Sequence, residues 1–207
     1  MRSNFAYCRR YLILQLEIHF IELMKIFETP LSGLLIVEPD IFKDPRGYFF
    51  ESYKKSNYIE GGIQTEFIQD NESKSVKGVV RGIHYQLAPY AQAKLARVVQ
   101  GVVYDVAVDL RRNSPTFGEW FGLELDDKNK KQLYIPPGFG HGFSVLSETA
   151  IFIYKCDNLY NKASERAINA FDPQLGIDWQ LKESEWKVSE KDKDAPLFKD
   201  AEINFVY

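Results

Sequence analysis

The stretch RGIHYQ holds one of only three histidines in the chain, His84. On a regular strand Gly82, His84 and Gln86 share a face, and the glycine leaves open space beside the imidazole for a ligand. Lys94 follows after a loop that contains Pro89 and can return to the same cavity. An imidazole base beside an ammonium suits removal of a proton next to a carbonyl, because the ammonium stabilises the enolate.

A second histidine and a tyrosine lie further along the chain. His141 lies between two glycines in PPGFGHGFSVL, where the backbone can pass close to a ligand. A histidine that satisfies backbone groups in a turn fits the same pattern, and a structural role fits His84 as well. Tyr154 alternates with Phe152 in AIFIYKC and could donate a proton opposite a base, although strand tyrosines often only pack.

Metal binding is the competing use of these histidines. Neither His84 nor His141 belongs to an H-x-H pair or has a carboxylate at the spacing of a metal motif. The sequence therefore predicts a site that holds no metal.

The elements that must position these side chains are short strands. From about Leu31 the chain alternates β-branched and aromatic runs with Gly, Pro, Asn and Asp clusters, which is typical of a sandwich or barrel. Helix signals gather at 182–193 and, more weakly, at 54–59. In the longest candidate strand, Asp105 and Asp109 share the face with smaller residues, which predicts either a solvated surface or the lining of a polar cavity.

Length and charge narrow the class of protein. The 207 residues suit one domain, and a net charge of −3 provides no broad basic field for nucleic acid or an anionic membrane. Cys8 and Cys156 lie far apart without a paired spacing, which is typical of a protein of the reducing cytoplasm.

The first 23 residues stand apart from the rest. Polar and acidic residues interrupt their apolar run, and a small-residue cleavage site is missing, so a targeting signal is not indicated. The residues from Met24 onward, MKIF, look like the natural beginning of a protein chain. We predict that residues 1–23 are an extension outside the fold and that 24–207 form a single domain; the alternative is an ordered extra strand or helix.

Several motifs follow one another from Met24 to near the end of the chain: DPRGYFFESY, FIQDNESKS, KGVVRGIHYQ, AQAKLARVVQGVVYDVAVDL, PPGFGHGF, FIYKCDNLY and SEKDKDAPL. Together they resemble the dTDP-4-dehydrorhamnose 3,5-epimerase family. The resemblance implies a mainly β fold, a cupin-type jelly-roll barrel or sandwich with a few short helices mostly near the C-terminus. It also implies inversion of C3 and C5 of dTDP-4-dehydro-6-deoxy-D-glucose, giving dTDP-4-dehydro-L-rhamnose.

The resemblance assigns roles to individual residues of this chain. His84 matches the catalytic base, Asp192 of SEKDKDAPL its carboxylate partner, Tyr154 the proton donor and Lys94 the lysine near the C4 oxygen. Nine further residues match substrate-binding positions: Arg46, Glu51, Gln69, Asn71, Arg81, His141, Tyr160, Glu165 and Lys191.

The resemblance also implies how the nucleotide base is bound, whether a cofactor is needed and how the subunits assemble. Tyr160 would stack on the thymine base, and no organic cofactor or metal would be needed. Family members are homodimers in which the amino-terminal strands of one subunit help to build the partner's site, and we expect the same here.

Two features of the sequence do not fit a regular strand and the family's usual motif. Arg81 and His84 have opposite parity, so a bulge or sharp twist must separate them if both face the ligand. Ala167 and Asn169 stand where the family usually has glycine and arginine, which affects the shape of the loop near Glu165. Two alternatives stay open: an epimerase that inverts a single centre of a related dTDP-4-keto sugar, and a cupin that only binds nucleotide sugars.

Overall fold

The computed structural model describes residues 19–21 and 24–207. These residues form fourteen strands: β1 (His19–Ile21), β2 (Met24–Glu28), β3 (Leu35–Pro39), β4 (Phe42–Asp44), β5 (Gly47–Phe49), β6 (Gln69–Val76), β7 (Val80–Gln86), β8 (Lys94–Gln100), β9 (Val102–Asp109), β10 (Trp120–Asp126), β11 (Gln132–Ile135), β12 (Phe139–Val145), β13 (Thr149–Cys156) and β14 (Glu165–Ala167).

The strands form two main sheets and a separate hairpin. One sheet has seven strands in the order β1-β2-β3-β11-β8-β13-β6, the other has five in the order β10-β9-β12-β7-β14, and β4 pairs with β5 alone. Neighbouring strands run antiparallel. The predicted mainly β, cupin-type sandwich is confirmed by this arrangement.

The main core lies between the two sheets. Val98 and Phe152 of the seven-stranded sheet pack in one buried cluster with Val103 and Phe143 of the five-stranded sheet. Aromatic and β-branched side chains that alternate along each strand fill this space, because every second residue points inward.

Two further clusters cover the outer faces. The C-terminal segment after β14 packs Trp179, Phe198 and Phe205 against the outside of the five-stranded sheet. As a result all seven residues of β12 are buried. Tyr58 and Ile63 pack against the outside of the seven-stranded sheet near its β2 edge.

This covering explains the pattern of β9. Its carboxylate face turns inward, and Asp105 and Asp109 are both fully buried, so the prediction of a solvated surface is wrong; the two carboxylates lie inside the protein without lining the cavity itself. Val106 and Val108 on the other face are buried as well, beneath the C-terminal segment. A strand covered on both faces loses the alternation between core and solvent that a half-exposed strand shows.

Helices among the described residues are short. α1 (Lys55–Glu60) overlaps the region predicted at 54–59 and ends one residue after it, and α2 (Glu190–Lys193) lies within 182–193; 3₁₀ turns lie at Glu183–Glu185 and Phe198–Asp200. The predicted helical region 182–193 is therefore mostly extended, since Lys187 accepts the backbone N–H of Val80 and pairs with the sheet edge. Pairing with a strand uses the backbone groups that a longer helix would need.

The start of the domain bears on the predicted extension. Residues 19–21 pair antiparallel with β2, at the edge of the seven-stranded sheet. Residues 1–18 and 22–23 lie outside the described residues, so the boundary at Met24 stays a prediction. Across the described residues, the structure contains no helix that is both long and apolar enough to cross a membrane.

Candidate active site

A polar cavity of about 330 Å³ opens between the two sheets. The five-stranded sheet contributes residues of β7 and β12 to one wall, and the seven-stranded sheet contributes β6, β8 and β13 to the other. Its polar lining consists of Asn71, Glu72, Ser73, Arg81, His84, Gln86, Gln92, Lys94, His141, Tyr154, Tyr160 and Glu165. Most residues that the sequence singled out therefore meet in one space.

A β-bulge in β7 brings Arg81 and His84 to the same cavity. His84 lies opposite His141 of β12, but Arg81 lies opposite Phe143, so the register shifts between them. The predicted bulge is confirmed. Gly82 permits it, because its φ is +124° and a Cβ there would lie only 2.5 Å from Cα of Gly142.

His84 forms a hydrogen-bonded pair with Asp192 from the other end of the chain. Its Nε2 donates to Asp192 Oδ1 at 2.6 Å, and the Asp192 side chain is 6% exposed against 32% for His84. Burial alone would raise the pKa of Asp192, but hydrogen bonds and the charge of His84 lower it overall. Because Nε2 is engaged, Nδ1 is the ring nitrogen that can accept a proton.

The short helix α2 fixes the position of Asp192. Ser189 Oγ caps the helix by accepting the backbone N–H of Asp192 at 3.2 Å. Asn169 Nδ2 donates to the Lys193 carbonyl at 3.3 Å and joins α2 to the segment after β14. Asn169 therefore supports the element that carries the carboxylate.

Lys94 enters the cavity from the wall opposite His84. Its Nζ lies 3.4 Å from His141 Nδ1 and 5.7 Å from the ring centroid of Tyr154. The side chain is half-buried and lines the cavity. Burial lowers the pKa of Lys94, and the nearby Cys156 and Asp105 oppose that shift.

Tyr154 stands on β13, in the sheet opposite the one that holds His84. Burial, with a smaller contribution from Cys156, raises the pKa of its phenol. The phenol therefore keeps its proton at neutral pH and can donate it. A base and a proton donor thus face one cavity from opposite walls.

The mouth of the cavity carries a linked trio. Tyr160 donates its hydroxyl to Glu165 Oε2 at 3.1 Å, and Lys191 Nζ lies 2.7 Å from the same oxygen. Burial would raise the pKa of Glu165, but the hydrogen bond and charge of Lys191 lower it overall. The Tyr160 ring is more than half exposed, so a planar ligand can reach it.

Three further predicted residues lie along β6 and β7. Gln69 Nε2 donates to Asn71 Oδ1 at 3.0 Å, and Asn71 and Arg81 both line the cavity. Arg81 donates to Ser75 Oγ through Nε at 3.3 Å and Nη2 at 3.1 Å, which directs its guanidinium along the β6 wall.

Arg46 and Glu51 do not line this cavity. Arg46 lies at the turn of the β4–β5 hairpin, where its 90% exposed side chain pairs with Asp44 at 2.6 Å. Glu51 Oε2 instead accepts a hydrogen bond from Asn57 Nδ2 at 3.4 Å. The structure therefore brings eleven of the thirteen predicted residues to the cavity or its rim and leaves these two apart.

Several polar residues of the cavity region were not among the predicted site residues: Glu72, Ser73, Gln86 and Gln92 line the cavity, and Asp105 lies behind it. Asp105 Oδ1 accepts from His141 Nε2 at 2.7 Å, and the parity of β9 was the signal that could have found it. Ser73 Oγ is buried and lacks a hydrogen-bond partner among the described residues. Its spacing of two from Asn71 places it on the same face of β6.

The donor set does not suggest a metal centre. Within 19–21 and 24–207, no three His, Cys, Asp or Glu side chains cluster as metal ligands would. The two histidines of the cavity each pair with one carboxylate instead.

Comparison with known proteins identifies the relatives of this chain. Residues 28–200 match the family model described as dTDP-4-dehydrorhamnose 3,5-epimerase. The chain belongs to the dTDP-4-dehydrorhamnose 3,5-epimerase family. Members of this epimerase family are isomerases, and the family-like order of motifs from DPRGYFF to SEKDKDAPL falls within the matched residues.

Individual members of the epimerase family align over most of the chain. A dTDP-4-dehydrorhamnose 3,5-epimerase of Shigella flexneri is 49% identical over 86% of this chain and 98% of its own length. The solved structure of the Elizabethkingia anophelis enzyme of the same name is 53% identical, with a TM-score of 0.82 over 86% of this chain and 97% of that one.

A third relative was solved with a ligand. The dTDP-6-deoxy-D-glucose-3,5-epimerase of Legionella pneumophila, in complex with dTDP-4-keto-L-rhamnose, is 48% identical to this chain. Its TM-score is 0.85, and the match covers 89% of this chain and 98% of that one. Similarity over nearly the whole of each relative includes every strand that lines the cavity.

Proposed function

We propose that the protein inverts C3 and C5 of dTDP-4-dehydro-6-deoxy-D-glucose and produces dTDP-4-dehydro-L-rhamnose. The observation that carries this proposal is the pairing of His84 with Asp192 on one cavity wall and the presence of Tyr154 on the other. Family membership supports it, and so does the Legionella relative, which binds the keto sugar of this reaction.

The reaction starts from the acidity of the sugar itself. The C4 ketone acidifies the C–H bonds at C3 and C5, so a base of near-neutral pKa can remove each proton in turn. His84 is the proposed base, acting through Nδ1, because Asp192 holds its other nitrogen. Asp192 orients the ring and stabilises its protonated form, as a carboxylate does in other histidine dyads.

The enolate needs a positive partner at the C4 oxygen. Lys94 is the proposed partner, because its ammonium lies in the cavity next to His141 and Tyr154. An ammonium held in place before the reaction stabilises the developing charge strongly in a site that excludes water. This arrangement uses neither a metal nor an organic cofactor, because the electrons of the broken C–H bond are held by the substrate's own carbonyl.

Inversion requires a proton from the opposite face. We propose that the Tyr154 hydroxyl delivers it for at least one centre, since β13 faces β7 across the cavity. Its raised pKa keeps the phenol protonated until the enolate forms.

The rim and the β6 wall suit a nucleoside diphosphate. Arg81 can pair two phosphate oxygens through its planar fork, and Ser75 already directs the guanidinium. Tyr160 is proposed to stack on thymine, with Glu165 and Lys191 holding its hydroxyl end. Gln69, Asn71 and His141 complete the proposed substrate contacts within one subunit.

Arg46 and Glu51 enter the proposal through a second subunit. Both lie on or beside the exposed β4–β5 hairpin, away from the cavity of their own chain. The hairpin carries a cross-strand pair of exposed aromatic side chains, Phe42 and Phe49, outside both main sheets. We infer that the protein is a homodimer of the cytoplasm in which this hairpin reaches the partner's cavity.

Incubation of the protein with the keto sugar in deuterated water tests the reaction. The proposal expects deuterium at both C3 and C5 and formation of the L-sugar. Deuterium with inversion at one carbon alone would identify a single-centre epimerase instead. Binding without any exchange would identify a protein that only holds nucleotide sugars, and either result would overturn the proposal.

A mixing experiment tests the shared site. His84→Asn and Arg46→Ala subunits are each purified, mixed under conditions that let subunits exchange, and assayed together. If Arg46 serves the partner's cavity, each mixed dimer has one intact site, and activity rises toward about a quarter of the wild-type value. If Arg46 served its own cavity, each site would keep a defect and mixing would restore nothing.

A further inference from the structure

We propose that Asp105 is a positioning residue of the reaction: through His141 it orients the Lys94 ammonium and balances its charge within the cavity. The inference rests on the proposed function, which gives Lys94 the task of stabilising the enolate. Asp105 does not line the cavity and forms no hydrogen bond with Lys94. It therefore acts on Lys94 through its hydrogen bond to His141 and through its negative charge.

The first step is the contact between Asp105 and His141. Asp105 lies on β9 and is fully buried, and its Oδ1 is 2.7 Å from Nε2 of His141, which is 6% exposed. A carboxylate can only accept, so the hydrogen of the imidazole is on Nε2. Burial lowers the pKa of His141 while Asp105 opposes that shift, and the ring is neutral at neutral pH.

The second step is the contact between His141 and Lys94. A neutral ring with its hydrogen on Nε2 has a lone pair on Nδ1, and Lys94 Nζ lies 3.4 Å from that atom. The ammonium therefore donates one hydrogen to His141 and keeps the other two for the cavity. In the other tautomer, an N–H on Nδ1 would face the ammonium, and two donors would repel each other.

The third step concerns charge. The other oxygen of Asp105, Oδ2, is buried and has no hydrogen-bond partner among the described residues. A buried carboxylate with an unpaired oxygen is costly unless a positive charge lies nearby. The Lys94 ammonium, on the far side of His141, is the positive charge that stabilises this carboxylate.

Titratable and charged groups face the same space from six strands, α2 and the loop before β14. They are Glu72 of β6, Arg81 and His84 of β7, Asp105 of β9, His141 of β12, Tyr154 and Cys156 of β13, Tyr160 of the loop, Glu165 of β14 and Asp192 of α2. Among them Glu165 pairs with Lys191, and Asp192 pairs with His84. Glu72 lies on the exposed side of β6, so Asp105 is the buried carboxylate left to balance the charge of Lys94.

The variant Asp105→Asn removes the charge and keeps the shape. We expect kcat to fall about tenfold or more while KM changes little, because a group that acts on the enolate matters in the transition state. The alkaline limb of the kcat profile should move to lower pH by about one unit, since Lys94 loses its compensating charge and gives up its proton sooner.

Asp109→Asn is the matched control. Asp109 lies on the same strand, is also fully buried, and pairs with Arg111, Ser114 and Thr116 away from the cavity. Loss of its charge should lower the melting temperature but leave the kcat of the folded protein and its alkaline limb unchanged. An alkaline limb that stays in place in Asp105→Asn would overturn the proposal, even if kcat falls.

A second measurement does not depend on turnover. With only three histidines in the chain, nitrogen NMR of ¹⁵N-histidine-labelled protein gives three imidazoles, assigned by His19→Asn and His84→Asn. Wild-type His141 should show a protonated Nε2 and an unprotonated Nδ1, and Asp105→Asn should populate the other tautomer. A wild-type His141 with its hydrogen on Nδ1 would refute the inference, and this spectrum judges it even if the variant does not fold.

The two measurements separate failure of the inference from failure of the proposed function. A wild-type protein that does not exchange protons of the keto sugar would remove the proposed function, while the tautomer of His141 would still be read from the spectrum. A wild-type protein that epimerises, with Asp105→Asn unchanged in tautomer and pH profile, would remove the inference alone.

Discussion

His84 Nε2 and Asp192 Oδ1 lie 2.6 Å apart, although 108 residues separate them in the chain. One partner stands beside a bulge in β7, and the other is on a four-residue helix near the C-terminus. Because this contact engages Nε2, Nδ1 of His84 is the atom that accepts the proton from the sugar in the proposed mechanism.

Substitution of either partner should slow the reaction. His84→Asn removes the proposed base, and we expect turnover to fall on the order of 10² to 10⁴-fold. Asp192→Asn should also be slow, because the imidazole loses its orienting and charge-stabilising partner. Turnover is measured with the keto sugar, and unchanged circular dichroism would exclude misfolding. A near-normal rate in either variant would mean that the dyad is misassigned.

Tyr154→Phe should separate proton removal from inversion. The change keeps the packing of the ring and removes the hydroxyl, so His84 can still form the enolate and return solvent protons to the original face. We expect deuterium at one or both acidic carbons to appear much faster than the L-sugar. An equal fall in exchange and inversion would show that the phenol is needed to form the enolate or to hold the site together.

The charge of Lys94 should set an alkaline limit to activity. Burial lowers the pKa of Lys94, so its ammonium is present below that reduced value and is lost as pH rises through it. We expect kcat to decline at a pH below the usual range for lysine. In Lys94→Arg the cation persists to higher pH, so the decline should move upward, whatever the absolute rate. An alkaline limb at the same pH in both proteins would exclude Lys94 as its cause.

Chelators should leave turnover unchanged. The proposed mechanism places the negative charge of the enolate beside Lys94, and the cavity histidines are each engaged by a carboxylate. The measurement is the epimerisation rate before and after dialysis against EDTA. Loss of activity that a divalent ion restores would contradict this prediction and would point to a metal site.

A chain that begins at Met24 should fold and retain activity. This shortened chain lacks β1, a short edge strand that pairs with β2 on the side of the sheet away from the cavity. We expect the melting temperature to fall by less than about 3 °C relative to a chain that begins at His19. Insolubility, or melting far below that control, would show that the preceding residues belong to the domain.

The sequence alone determined the class of fold and most members of the site. Strand-length runs separated by turn residues predict a β sandwich, because alternation along a strand must bury one face. The opposite parity of Arg81 and His84 predicted the bulge that the structure contains. Motif order assigned Asp192 to His84 through the family resemblance, which no spacing within this one chain could have supplied.

Tertiary structure decided which polar groups act together. The sequence pattern left the Asp105 face open between solvent and cavity; packing of the two sheets buries that face, and the C-terminal segment covers the opposite face of β9. It likewise left Arg46 among the site residues, whereas the β4–β5 hairpin holds that side chain in solvent within its own chain. Strand patterns report only which face a residue is on; contacts between distant strands depend on how whole sheets pack, and that is a property of the entire chain.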